Sequence, residues 1–242
     1  MSTNDYFKFS NGVVLAPLVA VLAIWTVFWV ELQLGINLND MGIYPRRISG
    51  LQGVLFSPFI HSSVEHLYNN TIPLAVLTSF LFYFYRIAAL RIVLWGVFLS
   101  GLLTWFIGRP SFHIGASGLI YVLASFIFFK GIFTKHYRLV ALSLIVVFIY
   151  GSMIWYIFPV KDGISWEGHL SGFITGFLLA VMTKVSIPSE KKYTWEREDY
   201  NEKDDPFLRH FDEHGNFIEE NLDRANEEDV TIRYHYKKKD KE

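Results

Sequence analysis

A serine, two histidines and an asparagine stand near matching ends of apolar segments in this chain. Ser117 lies within Gly115-Ala116-Ser117-Gly118, His169 within Gly168-His169-Leu170-Ser171-Gly172, and His66 and Asn70 are four residues apart. A serine hydroxyl is a poor nucleophile until a base removes its proton, and an imidazole within hydrogen-bond reach does this at neutral pH. The chemistry open to this set is acyl transfer through Ser117, with His169 as the base. His66 and Asn70 share a helical face; with backbone N–H groups near Ser117 they could hold a developing oxyanion. Tyr121, four residues after Ser117, puts a ring below the hydroxyl and is the natural packing partner of the imidazole. Glu167, two residues before His169, faces elsewhere on a helix. The expectation is a Ser117–His169 dyad oriented by packing rather than by a carboxylate.

The glycines around these residues belong to the same pattern. Gly168, Gly172 and Gly176 form a small-residue stripe beside His169, and Gly115 and Gly118 form a small patch around Ser117. Such surfaces let two helix backbones approach closely, as they do in many membrane proteins for packing alone. Here the approach would bring Ser117 to His169, with Gly115, Gly118 and Gly172 supporting the dyad. His61 is expected to organise the preceding loop, and His113 to pack within its own. No carboxylates or cysteines converge on the histidines, so neither a metal centre nor a cofactor is expected.

Such residues need elements to hold them, and the charge distribution shows which. Of 242 residues, 52% are hydrophobic and 19% charged. Residues 1–189 hold 17 charged side chains, whereas the 53 residues 190–242 hold 28. The first part is membrane-class and the second a charged tail, which excludes both an ordinary soluble enzyme and a disordered chain. With no cysteine, disulfides and thiol catalysis are excluded. Uncharged stretches at 9–30, 67–85, 92–108, 110–129 and 139–158, with a shorter one at 168–183, predict six transmembrane helices. Asp5 and Lys8 precede the first apolar run and no small-residue cleavage site follows it, so it is expected to remain as the first helix.

Positive charges set the orientation. Lys8, Arg86, Arg91, Lys130, Lys135, Arg138, Lys184, Lys191 and Lys192 fall on one side; Arg46, Arg47, Arg109 and Lys161 fall on the other. This predicts both termini in the cytoplasm. His66, Asn70, Ser117 and His169 then lie at similar depth below the outer face, at the starts of the second, fourth and sixth spans. The loop of about 35 residues between the first two spans is long and apolar, which predicts a structured, partly embedded segment built from short helices.

Taken together these residues resemble the rhomboid family of intramembrane serine proteases. The family's Gly-x-Ser-Gly appears as Gly115-Ala116-Ser117-Gly118. Its histidine signature appears as Gly168-His169-x-x-Gly172-x-x-x-Gly176, with Gly168 in place of the usual alanine. Its second-span signature runs from His61 through His66 to Asn70, and Pro45-Arg46 and Gly50-Leu51-x-Gly53 look like bacterial members. A Trp-Arg pair common in the family's first loop is missing.

The resemblance covers roughly residues 10–185. It implies Ser117 as nucleophile, His169 as general base and acid, Tyr121 stacked on His169, and His66, Asn70 and the Ser117 amide as oxyanion stabilisers. The fold it implies is an all-α membrane protein, a six-transmembrane-helix bundle with a long outer loop. Its substrates would be transmembrane proteins, entering from the lipid bilayer and cleaved without a cofactor. The alternative is a catalytically inactive relative that binds membrane clients. A bacterial inner membrane location is expected.

The organisation predicted is a membrane core, 1–187, and a charged C-terminal tail, 188–242, cytoplasmic and largely disordered. His214-Gly215-Asn216 reads as a turn within it. Lys237-Lys238-Lys239 is a weak signal for anionic lipid, and no nucleic-acid motif is present.

Overall fold

Apolar runs become helices wherever nothing interrupts them. In the computed structural model, which describes residues 7–161, 163–185 and 193–218, these are α1 (Asn11–Leu34), the single turn α2 (Gly53–Phe56), α3 (Val64–Phe84), α4 (Arg86–Ile107), α5 (Ser117–Thr134), α6 (Tyr137–Tyr150) and α7 (Trp166–Met182). After α6 the chain continues as a 3₁₀ segment, Gly151–Ile157. The described residues form no strand, only isolated bridges such as Ile43–His113. The chain divides into two units, residues 1–188 and 189–242.

Local chemistry fixes the ends. Ser63 caps α3 by accepting the N–H of His66 at 3.1 Å, and Ser165 caps α7 by accepting that of Gly168 at 3.3 Å. Each cap satisfies one of the orphan donors of a first turn. α1 stops at Gly35, whose φ of +60° supplies the left-handed turn. Arg46 closes the end of α4, with Nη1 donating to the carbonyls of Gly108 at 2.8 Å and Phe106 at 3.2 Å.

α1, α4, α5 and the run Tyr137–Ile157 are each long and apolar enough to cross a membrane. α3 and α7 are not among them. α7 has 17 residues, about 26 Å of helix. α3 carries Glu65, His66, Asn69 and Asn70 within its first two turns. The helices that miss the hydropathy pattern carry His66, Asn70 and His169, whereas Ser117 and Tyr121 lie on α5, which meets it. Between α1 and α3 the chain forms short helical turns at Asn39–Met41, Ile48–Gly50, Gly53–Phe56 and Ser57–Phe59.

One boundary differs from the hydropathy pattern. Within the uncharged run at 110–129 the fourth span is expected to open at Ser117, and α5 does open there, but it continues past the run to Thr134. Residues up to 116 are uncharged loop: His113 exchanges backbone hydrogen bonds with Ile43, and Gly115 turns the chain at φ +106°. Hydropathy does not separate such a loop from a helix. Lys130 consequently lies inside α5, not in the loop after it, and its Nζ donates to the carbonyls of Ala180 (3.1 Å) and Thr183 at the end of α7.

α5 is the central helix, with α3, α4, α6 and α7 packed around it and Val122, Leu123, Phe126 and Ile127 fully buried. In lipid, apolar burial does not by itself drive helices together, so close backbone contact and interhelical hydrogen bonds matter more. Ser125 donates to Phe173 O at 2.7 Å between α5 and α7. Ser143 joins α6 to α5 through Phe128 O at 2.9 Å.

The second unit is described over residues 193–218. It consists of short 3₁₀ turns and a bridge between Phe211 and Phe217. The turn expected at His214-Gly215-Asn216 forms, held by Asp212 N–H to Asn216 O at 2.9 Å and by Gly215 at φ +80°. Of the tail expected to be largely disordered, 188–242, residues 188–192 and 219–242 lie outside the described residues, and with them Lys191, Lys192 and the lysines 237–239.

Candidate active site

The site is built where α5 and α7 cross. A Cβ on Gly172 would lie 2.2 Å from the carbonyl oxygen of Gly118 and 2.9 Å from Tyr121 Cβ, and one on Gly176 would lie 2.4 Å from Val122 O. Side chains are therefore excluded along this face of α7. The glycines bring the first turns of the two helices together, Ser117 on one and His169 on the other. Tyr121, one turn beyond Ser117, stacks on the His169 ring with centroids 4.3 Å apart and planes 15° from parallel.

His169 is 8% exposed and its Nδ1 lies 2.9 Å from the carbonyl oxygen of Tyr156. A carbonyl only accepts, so Nδ1 carries the proton and Nε2 of the neutral ring keeps its lone pair. Tyr121 donates its hydroxyl to Met153 O at 2.7 Å. Both rings of the stack are thus tethered to backbone carbonyls of one 3₁₀ segment. Those carbonyls belong to the site, and sequence reasoning missed them because a main-chain acceptor leaves no mark on residue type. Ser117 is half-buried and is not hydrogen-bonded to His169 in this structure; such contacts often tighten only when substrate is bound.

α5 begins at Ser117, so the N–H groups of Ser117 and Gly118 have no partner within the helix, and none elsewhere among the described residues. They are the positive end of the helix. Beside them lies the start of α3. A Cβ on Gly115 would fall 2.6 Å from His66 Nε2 and 3.5 Å from Asn70 Nδ2, so both side chains reach the loop entering α5. The Asn70 amide donates to His66 O at 3.1 Å, leaving its second N–H for another acceptor. His61 reaches the loop entering α5, where its Nε2 accepts the N–H of Ala116 at 3.4 Å. Burial, and then the neighbouring His66 ring, hold His61 well below the usual imidazole value, at about 4. At neutral pH Nε2 therefore remains an acceptor.

A pocket opens beside Ser117, lined by Ser57, Ser100, Thr104, Gly115, Gly118 and Ser165 among others. Glu167 is not hydrogen-bonded to the His169 imidazole. Its carboxylate binds Arg109, accepting the backbone N–H at 3.2 Å. His113 packs in its loop as expected, and burial lowers its pKa. Among the described residues no cluster of three metal-ligating side chains forms.

The Rhomboid domain family model matches residues 49–185, a stretch that contains every one of these side chains. Uncharacterized proteins of Mycobacterium tuberculosis and Mycobacterium bovis are each 36% identical over an alignment of 194 positions, covering 75% of this chain and 78% of theirs. An uncharacterized protein of Mycobacterium leprae is 32% identical, covering 75% of this chain and 74% of its own. The chain belongs to the rhomboid family and is an integral membrane protein.

Proposed function

We propose that this protein is an intramembrane serine endopeptidase that cleaves transmembrane substrate proteins. All six long helices cross the bilayer, both termini lie in the cytoplasm, and the site opens toward the outer face. The mycobacterial relatives fit a bacterial plasma membrane. In the reaction Ser117 Oγ attacks a peptide carbonyl and its proton passes to His169 Nε2. The N–H groups at the start of α5, with His66 and Asn70, receive the oxyanion. As the C–N bond breaks, the imidazolium returns the proton to the departing amine. Water then hydrolyses the Ser117 ester by the same route.

The observation that carries this reading is the tethered imidazole. His169 is stacked on Tyr121 and fixed through Nδ1, which leaves Nε2 as the only ring nitrogen with a lone pair, on the helix packed against the one that Ser117 opens. The second reading, a client-binding relative without activity, draws on the missing Ser117–His169 hydrogen bond.

Detergent-purified protein incubated with a transmembrane substrate decides between them. Wild type is expected to cut and to take up a fluorophosphonate on Ser117. Ser117→Ala and His169→Ala should each lose at least about 10³-fold in kcat, as residues acting as one catalytic unit do. Folded wild type that neither cuts nor labels would overturn the protease reading and put the binding reading ahead.

A further inference from the structure

Two struts join the chain leading into Ser117 to the chain leading into His169. On the first, the Glu167 carboxylate accepts the backbone N–H of Arg109 at 3.2 Å and faces its Nε at 3.6 Å. The guanidinium also donates to Ile164 O at 2.5 Å. On the second, His113 Nε2 lies 3.1 Å from Arg109 O, so it must donate there. Nδ1 is then the acceptor for the Ser165 hydroxyl at 2.5 Å. Ser165 in turn accepts the Gly168 N–H that caps α7. The struts share Arg109, and Gly108 makes room for them, since a Cβ there would lie 2.8 Å from His113 Nε2.

We propose that Arg109, Glu167, His113 and Ser165 form a clamp of positioning residues that sets the register of the serine helix against the histidine helix. The inference rests on the protease reading above. None of the four is hydrogen-bonded to Ser117 or to the His169 ring, so the clamp acts through the backbone, and the Glu167 charge also acts on that ring through space. Little chain is available to absorb a displacement: Ser117 follows His113 by four residues, and His169 directly follows the capped Gly168. Proton transfer needs the hydroxyl and Nε2 within about 3 Å, and a 1 Å error far from the chemistry can cost about 10²-fold.

Burial points the same way. Glu167 is 1% exposed and its Oε2 has no hydrogen-bond partner among the described residues. Half-satisfied buried carboxylates are energetically poor, and apolar packing usually replaces them without loss. A device for holding register gives the carboxylate a use that packing does not.

The test uses full-length protein in detergent and reads two quantities: the second-order rate of fluorophosphonate labelling at Ser117, and kcat and KM for a transmembrane substrate. Glu167→Ala and Ser165→Ala are expected to slow labelling and kcat by about 10–100-fold, with KM changed by less than about twofold. Glu167→Gln keeps an acceptor for the Arg109 N–H, and Ser165→Thr keeps the hydroxyl. Both are expected to return to within about threefold of wild type. Folded alanine variants that label at the wild-type rate overturn the clamp alone, as does a rise in KM at constant kcat. Folded wild type that does not label overturns the protease reading itself. Should Glu167→Ala fail to fold, the Ser165→Ala and Ser165→Thr pair decides the question by the same readouts.

Discussion

In the proposed reaction the base, His169, is oriented by a neutral backbone oxygen, the carbonyl of Tyr156, where a carboxylate would have served both to orient and to stabilise the imidazolium. A carbonyl fixes the tautomer but offers less charge compensation, so more of the ring's placement falls to its stack on Tyr121. The tyrosine contributes two separable things, a ring face at 4.3 Å and a hydroxyl tethered to Met153 O at 2.7 Å. Tyr121→Phe keeps the face and loses a hydrogen bond worth about 1 kcal/mol, so kcat is expected to fall by less than about tenfold. Tyr121→Ala loses the face and leaves a void beside the imidazole, and kcat is expected to fall by about 10–100-fold. Steady-state kinetics of the two variants checks this; equal losses would show that the tether, not the ring, holds His169. At this scale the side chains were legible in the sequence, because serine, histidine, asparagine and tyrosine at helical spacing are informative residue types. Their main-chain anchors were not.

At the level of elements, the site depends on how closely α5 and α7 approach, and the glycines are unequal in that. Gly172 and Gly176 sit where a Cβ would collide with α5 backbone at 2.2 and 2.4 Å, whereas a Cβ on Gly118 would meet nothing nearer than Gly168 O at 3.6 Å. Gly172→Ala and Gly176→Ala are therefore expected to lower stability by about 1–3 kcal/mol through overpacking. Gly118→Ala should leave the unfolding midpoint near wild type, because it adds an ordinary contact and a better helix former. Thermal unfolding in detergent separates the three, and a Gly118→Ala variant as unstable as Gly172→Ala would refute this geometry. The stripe was readable from spacing, since residues four apart share a helix face. The end of α5 was not, because Lys130 reads as a loop charge although it lies inside the helix and bonds the end of α7. The pairing of Arg109 with Glu167 was also invisible: 58 residues separate them, and no periodicity connects a loop to the first turn of a distant helix.

For the whole molecule the open issue is which way the bundle faces. Arg86 and Arg91 near the start of α4, Lys135 and Arg138 around the α5–α6 turn, and Lys184 after α7 fall at ends that one alternating arrangement puts on a single side. In the proposed topology the excess of positive charge puts that side in the cytoplasm, and Ser117, at the opposite end of α5 from Lys130, at the outer face. The chain's lack of cysteine makes this directly testable, since any introduced thiol is the only one present. Tyr137 opens α6 and Lys161 follows its 3₁₀ extension, both exposed, with the apolar run Tyr137–Ile157 between them. A run of that length separates its flanks by about a bilayer's hydrocarbon thickness. Lys161→Cys in intact bacterial cells is expected to react with a membrane-impermeant maleimide. Tyr137→Cys is expected to react only after the membrane is opened. Neither change removes a cytoplasmic positive charge, so the orientation signal survives in both. Labelling in the reverse order would put the site on the cytoplasmic face, and labelling of both in intact cells would mean that α6 does not span. The first result would move the substrate region to the other leaflet while leaving the Ser117–His169 chemistry unchanged. The second would undo the six-span arrangement itself, because α6 and its extension form the segment whose carbonyls hold both rings of the site.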